Sequence, residues 1–180
     1  MHNDIKEILL TSEQIQARIR ELGQELKRDY GDKCPVFIGV LKGVVVFYAD
    51  MIRAFDAPCQ LDFMWISSYK GTKSTGQMIV RQDVSADLTG RHVVILEDIL
   101  DSGRSLQFTY DYLKFKGAAS VKICTLLDKP EGRLPGYDIK ADYTGFTVPN
   151  EFVVGYGLDY NERYRNLPYV GILKPEVYEK

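Results

Sequence analysis

The first half of the chain changes from helical to strand-like hydrophobic spacing near Gly31. Before that point, apolar residues recur every three or four positions, as on one face of an amphipathic helix. Thr11 and Gln14 have the spacing of a capping box, so the helix is predicted to begin at Thr11-Ser12 and to end at Gly31. The residues of this predicted buried face are Ile15, Ile19, Leu22 and Leu26.

After Gly31 the apolar residues fall in short runs rich in β-branched side chains, which favour strands. Helical segments separate these runs, and Gly117 is a predicted cap beyond the second of them. Strands that alternate with helices predict an α/β fold, with a central, mostly parallel sheet flanked by helices on both faces. The predicted strands are residues 36–41, 61–67, 92–97 and 120–127, and the predicted helices are residues 44–55 and 105–116.

The run VVIL at residues 93–96 is apolar at every position. A strand of this kind is predicted to lie in the centre of the sheet, buried on both faces. Residues that follow it therefore lie at the carboxyl edge, where open α/β folds bind ligands.

Two segments depart from the repeating unit. Residues 68–77, SYKGTKSTGQ, are small and polar and are predicted to form a mobile loop instead of a tight hairpin. The chain from Tyr137 onward is rich in Tyr, Gly and Pro, and we expect it to form most of a small hood, joined by part of the N-terminus. Residues 1–180 are expected to form a single domain.

Charge and composition exclude several classes of function. With 23 basic and 25 acidic residues, the chain lacks the general positive field that nucleic acid or anionic membrane would require. No apolar stretch approaches the ~20 residues of a spanning helix. The start MHNDIKEILL carries charges where a signal peptide needs its apolar region, so a cytoplasmic protein is expected.

The cysteines and histidines exclude further chemistry. Three cysteines without a CxxC pair indicate neither a disulfide framework nor a zinc knuckle. Two isolated histidines make a histidine-built metal site or a Ser-His-Asp triad unfavourable. Acid and base chemistry would therefore depend on carboxylates or lysine.

The stretch VVILEDILDSGRS carries the strongest chemical signal. Three carboxylates, Glu97, Asp98 and Asp101, are followed by a small hydroxylated loop at residues 102–105 that opens a helix. Backbone N–H groups, hydroxyls and a helix N-terminus suit a phosphate, while carboxylates accept from vicinal hydroxyls, so a ribose phosphate satisfies both. The alternative is that Asp101 and Ser102 only cap the helix and the acidic pair is solvated.

Two lysines follow predicted strands and share the same edge. Lys42, followed by Gly43, could approach a diphosphate with side chain and backbone. Lys129 follows strand 120–127, and Pro130 ends that strand. The alternative for both is a solvated surface lysine.

The segment 151–165, EFVVGYGLDYNERYR, offers a possible ring-binding site. Phe152 could stack on a flat ring, while Asp159 and Arg165 could bind metal and phosphate. An aromatic residue in an apolar run is more often core, and from the residues alone that interpretation of Phe152 is favoured.

Together these motifs resemble the type I phosphoribosyltransferases, specifically purine phosphoribosyltransferases of the hypoxanthine or hypoxanthine-guanine type. The resemblance extends from about residue 8 to about residue 173. It rests on VVILEDILDSGRS, on LKG at 41–43, on SSY and STG at 67–69 and 74–76, on LDKP at 127–130 and on FVVGYGLDY at 152–160.

The resemblance implies the reaction and its partners. A member of this family exchanges the pyrophosphate of phosphoribosyl pyrophosphate (PRPP) for a 6-oxopurine with Mg²⁺, and the family suggests a homodimer or homotetramer. Asp101 matches the general base that handles the purine N7 proton. Glu97 and Asp98 match the ribose-binding acids, and Ser102, Gly103, Arg104 and Ser105 the cradle of the 5′-phosphate.

The resemblance also assigns the remaining positions. Leu41, Lys42, Gly43 and Arg165 match pyrophosphate-binding residues, with a Leu41-Lys42 peptide that is typically cis. Lys129, Phe152, Val153 and Asp159 match the purine-binding region, in which the lysine donates to the 6-oxo group. Glu97, Asp98 and Asp159 are the implied metal ligands, and Ser68 and Tyr69 are implied lid contacts.

Two other classes remain open. Some phosphoribosyltransferase-like domains bind nucleic acid and sense nucleotides, but that interpretation needs a basic face. A phospho-acceptor signalling domain also places acids and a lysine at a sheet edge, yet it has no use for the serine-rich loop.

Overall fold

A computed structural model describes residues 1–68 and 78–179, with the Ser68 side chain left out. The predicted lid falls on 68–77, so its structure lies outside the described residues. The strands are β1 Ile5–Leu10, β2 Val36–Leu41, β3 Gln60–Ser68, β4 Met78–Gln82, β5 His92–Leu100, β6 Ser120–Asp128, β7 Tyr143–Thr147, β8 Val153–Val154 and β9 Val170–Leu173. The α-helices are α1 Ser12–Tyr30, α2 Val45–Phe55, α3 Arg104–Phe115 and α4 Pro175–Tyr178.

Six strands form the main sheet in the order β4-β3-β2-β5-β6-β7. All neighbouring pairs are parallel except β3 with β4. The predicted α/β fold with a mostly parallel central sheet is therefore confirmed. β2 has the predicted bounds. β3 extends one residue beyond its predicted bounds at each end, and β6 extends one residue beyond its predicted end.

Helix α1 begins with the predicted capping box. The Gln14 amide donates to Thr11 Oγ1 at 3.3 Å, and the Thr11 amide donates to Gln14 Oε1 at 2.8 Å. These two bonds satisfy N–H groups that a helix start leaves without intrahelical partners. The four predicted apolar positions are all buried in one cluster with α2.

Strand β5 is buried on both faces, as its unbroken apolar run predicts. Val94 and Leu96 belong to the core that contains α1 and α2, whereas Val93 and Ile95 pack in the core that contains α3 residues. The strand does not end at Glu97, however, but continues to Leu100 because β6 goes on pairing with it.

A second, antiparallel sheet in the order β1-β9-β8 forms a small hood from the two ends of the chain. The prediction that the hood begins at Tyr137 is wrong for its first part, because β7 pairs with β6 in the main sheet. Arg18 of α1 secures β7 by donating to the carbonyls of Thr144 and Gly145. A composition rich in Tyr and Gly does not distinguish an edge strand from a separate hood.

Among the described residues, none of the helices combines the length and apolar character that crossing a membrane requires.

Candidate active site

A crevice opens where β2 and β5 separate. Their pairing ends at Gly39 with Leu96, while β5 stays paired with β6 as far as Leu100 and Asp128. The chain crosses from β2 to β3 on one side and from β5 to β6 on the other, so this is the point at which the strand order reverses. Ligands of open α/β sheets bind at such a point, at the carboxyl ends of the strands.

A cavity of about 430 Å³ fills this crevice. It collects side chains that are far apart in the sequence, from the ends of β2, β5 and β6 and from the hood. The predicted site residues that line it are Leu41, Lys42, Gly43, Glu97, Asp98, Asp101, Ser105, Lys129, Phe152, Val153, Asp159 and Arg165.

A smaller cavity of about 210 Å³ shares Glu97, Asp101 and Ser105 with the first and is also lined by Ser102 and Gly103. It lies at the start of α3, a 12-residue helix whose N-cap is Gly103 with φ of 83°. That backbone conformation suits glycine. The hydroxyls and the helix N-terminus make this cavity suitable for a phosphate group.

Arg104 was predicted as part of the same cradle. It is the first residue of α3, and its amide lies 3.5 Å from Ser102 Oγ. Arg104 is not one of the described residues that line either cavity. The structure thus places its backbone, rather than its charge, next to the predicted phosphate position.

Two neighbouring acids form the floor of the crevice. Burial raises the pKa of Glu97 well above its usual range, with the nearby Asp98 charge adding to the effect. Burial also raises the pKa of Asp98, to about 6. Glu97 Oε2 is buried and has no hydrogen-bond partner among the described residues. An oxygen of this kind is poised to accept from a ligand hydroxyl or to bind a cation.

Glycine at position 43 lets the turn after β2 approach these acids closely. A Cβ atom on Gly43 would lie 1.8 Å from Asp98 Oδ2, and one on Gly157 would lie 2.0 Å from the Gly43 carbonyl oxygen. The Leu41-Lys42 peptide bond is cis. Sheet and hood therefore meet at the turn that carries Lys42.

Two cations on this side of the cavity share one carboxylate. Glu162 Oε2 lies 3.2 Å from Lys42 Nζ and 3.5 Å from Arg165 Nη2. Arg165 also pairs with Asp159 at 2.8 Å. The Lys42 ammonium holds the pKa of Glu162 below its usual range. A single acidic oxygen thus bridges the predicted pyrophosphate-binding cations, and sequence reasoning did not identify it.

Asp101 and Lys129 form an ion pair in the lining of the same cavity. Lys129 Nζ lies 2.8 Å from Asp101 Oδ2. Only 12% of the Lys129 side chain is exposed, against 46% for Asp101. Lys129 is therefore directed into the site, unlike the solvated surface lysine that was its alternative.

Phe152 lies at the cavity surface, with 37% of the residue exposed. One face of its ring stacks on Tyr178 at 4.8 Å between centroids, and Tyr160 meets it edge-on at 5.6 Å. The core interpretation of Phe152, favoured from the residues alone, is therefore wrong. The stacking role that the resemblance implies for Phe152 remains a prediction.

The implied metal ligands do not form a ready-made cage. No group of three or more His, Cys, Asp or Glu side chains in the described part of the chain converges on a metal-binding point. Asp159, one of the three implied ligands, is paired with Arg165 instead. Any divalent cation here would need further oxygens from the substrate or from water.

Some predicted site residues fall outside this description. Tyr69 is not among the described residues, and for Ser68 only the backbone, as the last residue of β3, is described. Their predicted contacts with a ligand remain predictions.

The chain belongs to the phosphoribosyltransferase family, since residues 6–161 match the model of the phosphoribosyl transferase domain. The structure has a TM-score of 0.94 with a hypoxanthine phosphoribosyltransferase from Staphylococcus aureus, at 49% identity over 100% of this chain and 97% of that one. A hypoxanthine-guanine phosphoribosyltransferase from Streptococcus pneumoniae is 52% identical over 99% of this chain and 98% of that protein. These matches confirm the family resemblance drawn from the motifs.

A different architecture also occurs among the relatives. The bifunctional protein TilS/HprT of Listeria monocytogenes is 52% identical over 181 residues. The present chain spans 28% of the length of that relative.

Proposed function

We propose that this protein transfers the phosphoribosyl group of PRPP to hypoxanthine, and to guanine, with release of pyrophosphate. The bond from ribose C1 to pyrophosphate breaks, and a bond from C1 to purine N9 forms. The observation that carries this proposal is the set of groups that one crevice and the adjoining small cavity bring together: a phosphate cradle, two neighbouring acids, the Asp101–Lys129 pair and two cations.

The two acids suit the ribose. Vicinal hydroxyls of the sugar can donate to Glu97 and Asp98 while the cradle holds the 5′-phosphate. As the bond to pyrophosphate breaks, positive charge develops on the sugar ring, and nearby carboxylates stabilise it. Glu97 Oε2, which is buried and has no hydrogen-bond partner in the part of the chain that the structure describes, is available for this role.

The leaving group meets the two cations. Pyrophosphate oxygens can replace Glu162 between Lys42 and Arg165, which then stabilise the negative charge that the leaving group gains. Arg165 Nε is also buried without a hydrogen-bond partner in the described residues, and so has a donor to offer.

The site suits a Mg²⁺ ion that protein and substrate oxygens would coordinate together. Mg²⁺ is usually held by one or two carboxylates together with substrate phosphates and waters. Glu97, Asp98 and Asp159 would supply the carboxylate oxygens, and the substrate and water would complete the coordination, since the described residues form no complete protein cage. When bound, the ion would neutralise charge on the pyrophosphate.

The Asp101–Lys129 pair suits a 6-oxopurine. Purine O6 and N7 lie on one edge of the base, so two side chains in mutual contact can reach both atoms. Lys129 donates to O6, and Asp101 takes the N7 proton as N9 attacks C1. Adenine carries an amino group at position 6, and an ammonium has only donors to offer it. Adenine is therefore expected to be a poor substrate.

The remaining proposals rest on the sequence and the family. The segment 68–77 would act as a lid that keeps water from the cation-like ribose, with Ser68 and Tyr69 touching the ligand. PRPP and a 6-oxopurine would be the partners of a cytoplasmic homodimer or homotetramer.

The experiment that tests the proposed function is a comparison of four bases. Purified protein with PRPP and Mg²⁺ is incubated with hypoxanthine, guanine, xanthine or adenine, and nucleotide is followed by chromatography. Product from hypoxanthine with little from adenine supports the proposal. Binding of PRPP without product from any base would favour the nucleotide-sensing class.

Glu162→Gln is expected to tighten the binding of pyrophosphate. The substitution removes the carboxylate that competes for Lys42 and Arg165. Because exposed ion pairs are weak, the dissociation constant for pyrophosphate, measured by calorimetry with Mg²⁺, should fall by about two- to fivefold. Glu7→Gln makes the same change of charge at an exposed position of β1 and serves as the control. Weaker binding in Glu162→Gln alone would show that Glu162 supports the site instead of competing for it.

Asp98→Asn is expected to stabilise the free protein above about pH 6. In wild type the carboxyl keeps its proton up to a pKa of about 6 because it is buried, whereas an aspartate in the unfolded chain titrates near 3.9. The unfolded chain therefore loses this proton first, and the free energy of unfolding falls as pH rises from about 4 to about 6. Asparagine removes that titration.

Urea unfolding at a series of pH values measures this effect. The difference between Asp98→Asn and wild type should be small near pH 4 and reach about 1–3 kcal/mol near pH 8. Asp111→Asn, at an exposed position of α3, is the control. A difference that stays constant over the whole range would contradict the assignment.

A further inference from the structure

Arg133 lies directly behind the site, although no sequence motif identified it. Its Nη1 group donates to three backbone carbonyls: Leu100 at 2.6 Å, Asp101 at 2.6 Å and Lys129 at 3.0 Å. Its Nη2 group donates to the Asp128 carboxylate. The side chain is 18% exposed. One guanidinium therefore serves four acceptors in a largely enclosed place.

These acceptors belong to the ends of two neighbouring strands. Leu100 ends β5, Asp128 ends β6, and the two residues are register partners. The Lys129 amide donates to the Leu100 carbonyl at 3.0 Å. Arg133 therefore holds together the two backbone segments from which the Asp101 and Lys129 side chains project.

The segment around Arg133 also packs tightly on the site. A Cβ atom on Gly132 would lie 1.9 Å from Asp101 Oδ1. The Leu134 amide donates to the Ser102 carbonyl at 3.1 Å, and Arg133 Cδ lies 3.4 Å from the Cβ position of Gly103. A shift of this segment would therefore displace both Asp101, which is assigned to the purine base, and the phosphate cradle.

A guanidinium is suited to this place in a way that lysine is not. Its planar fork offers five donors in fixed directions, whereas an ammonium is a compact charge on a flexible stem. Without Arg133, the carbonyls lose charge-assisted partners and Asp128 loses its ion pair. Beyond the end of the β5–β6 pairing, the bond from Lys129 to Leu100 would then lack the support of the guanidinium.

We propose that Arg133 is a positioning residue that fixes the spacing between Asp101 and Lys129, so that the two side chains reach purine N7 and O6 together. The inference rests on the proposed function, because it assigns the pair to the edge of the base. Arg133 itself touches backbone and Asp128, and acts on the reaction only through the residues it holds.

The kinetic test compares Arg133→Ala with wild type and with Arg28→Ala, a mainly exposed arginine of α1. Displacements of about 1 Å in a site cost on the order of 100-fold in rate. We expect kcat/KM for hypoxanthine to fall by about 10- to 100-fold, while the KM for PRPP changes by less than about threefold. Methylguanidinium should restore part of the activity of Arg133→Ala in a saturable manner, and methylammonium should not.

A double substitution separates positioning from a general loss of folding. If Arg133 acts on the rate through Asp101, then Arg133→Ala should cost less kcat in an Asp101→Asn background than in wild type. Three results together would mean that Arg133 only supports the fold. Arg133→Ala would lower kcat equally in both backgrounds, it would raise the KM values of both substrates equally, and methylguanidinium would not restore activity.

A measurement without turnover keeps this inference distinct from the proposed function. Amide hydrogen exchange at Lys129, whose N–H bonds to Leu100, should become at least about tenfold faster in Arg133→Ala, while buried amides of α1 keep wild-type rates. Unchanged exchange at Lys129 would overturn the positioning role, whatever the enzyme does. If exchange at Lys129 is faster in Arg133→Ala but the wild-type protein forms no nucleotide, the proposed function is rejected instead.

Discussion

Asp101→Asn is expected to lower kcat by about 100- to 10,000-fold, the usual range for the loss of a general base. Asparagine can still lie next to Lys129, but it cannot take the proton from purine N7. The proposed ribose-phosphate contacts are assigned to other residues, so binding of PRPP should change little. Steady-state kinetics and calorimetry with PRPP and Mg²⁺ measure the two quantities separately.

The matched control for this variant is Asp111→Asn, which changes the same side chain on the exposed face of α3. It should retain wild-type turnover. Turnover of Asp101→Asn equal to wild type would remove Asp101 from the mechanism. A parallel loss of PRPP affinity and kcat would mean that Asp101 binds the ribose phosphate instead of handling a proton.

Lys129→Met is expected to lower kcat/KM for hypoxanthine by about 10- to 100-fold. A hydrogen bond from a charged donor contributes about 1.5–3 kcal/mol, and methionine keeps the apolar length of the stem without the donor. Since Lys129 is assigned to the base and lines the cavity next to Asp101, the KM for PRPP should change much less. The preference for hypoxanthine over adenine should shrink, because the donor that selects a 6-oxo group is gone.

Lys114→Met is the control for this variant, since Lys114 lies over the ring of Tyr110 on α3, away from the residues that line the cavity. Competition between hypoxanthine and adenine in one reaction gives the discrimination directly. Equal losses for PRPP and hypoxanthine in Lys129→Met would contradict the role assigned to this lysine.

Much of the fold follows from hydrophobic spacing. β2 is apolar throughout and lies between Pro35 and Lys42, so its limits are plain in the sequence, and the capping box marks the start of α1. β5 is longer than its apolar run because pairing with β6 continues through the acids at its end. The last residues of β5 are strand because of their backbone pairing, although their side chains do not have the apolar pattern of a strand.

The site was predictable where its residues follow strand ends. Parallel strands bring their carboxyl ends to one edge, so Lys42, Asp101 and Lys129 could be expected to gather there. Arg133 and Glu162 could not be predicted in this way. An arginine or a glutamate in a turn has the pattern of a solvated residue, and only the fold shows which carbonyls or cations it meets.

For Phe152, hydrophobic patterning favoured burial where the structure shows a partly exposed ring. Phe152 precedes the two-residue strand β8 in an apolar run, and that context favours burial. The strand is short and lies at the edge of the hood sheet, so the ring stays partly open to the cavity while Tyr178 covers one face. The stacking position came from the family resemblance and not from periodicity.

The most direct test of phosphoribosyl transfer is ³¹P NMR of PRPP and Mg²⁺ with the protein, recorded before and after addition of hypoxanthine. The account predicts that PRPP stays intact without the base, because the reaction needs a purine nucleophile at C1. After addition, pyrophosphate and the nucleoside monophosphate should appear in equal amounts. Pyrophosphate released at the same rate without hypoxanthine, with ribose 5-phosphate as the other product, would contradict it and define a hydrolase.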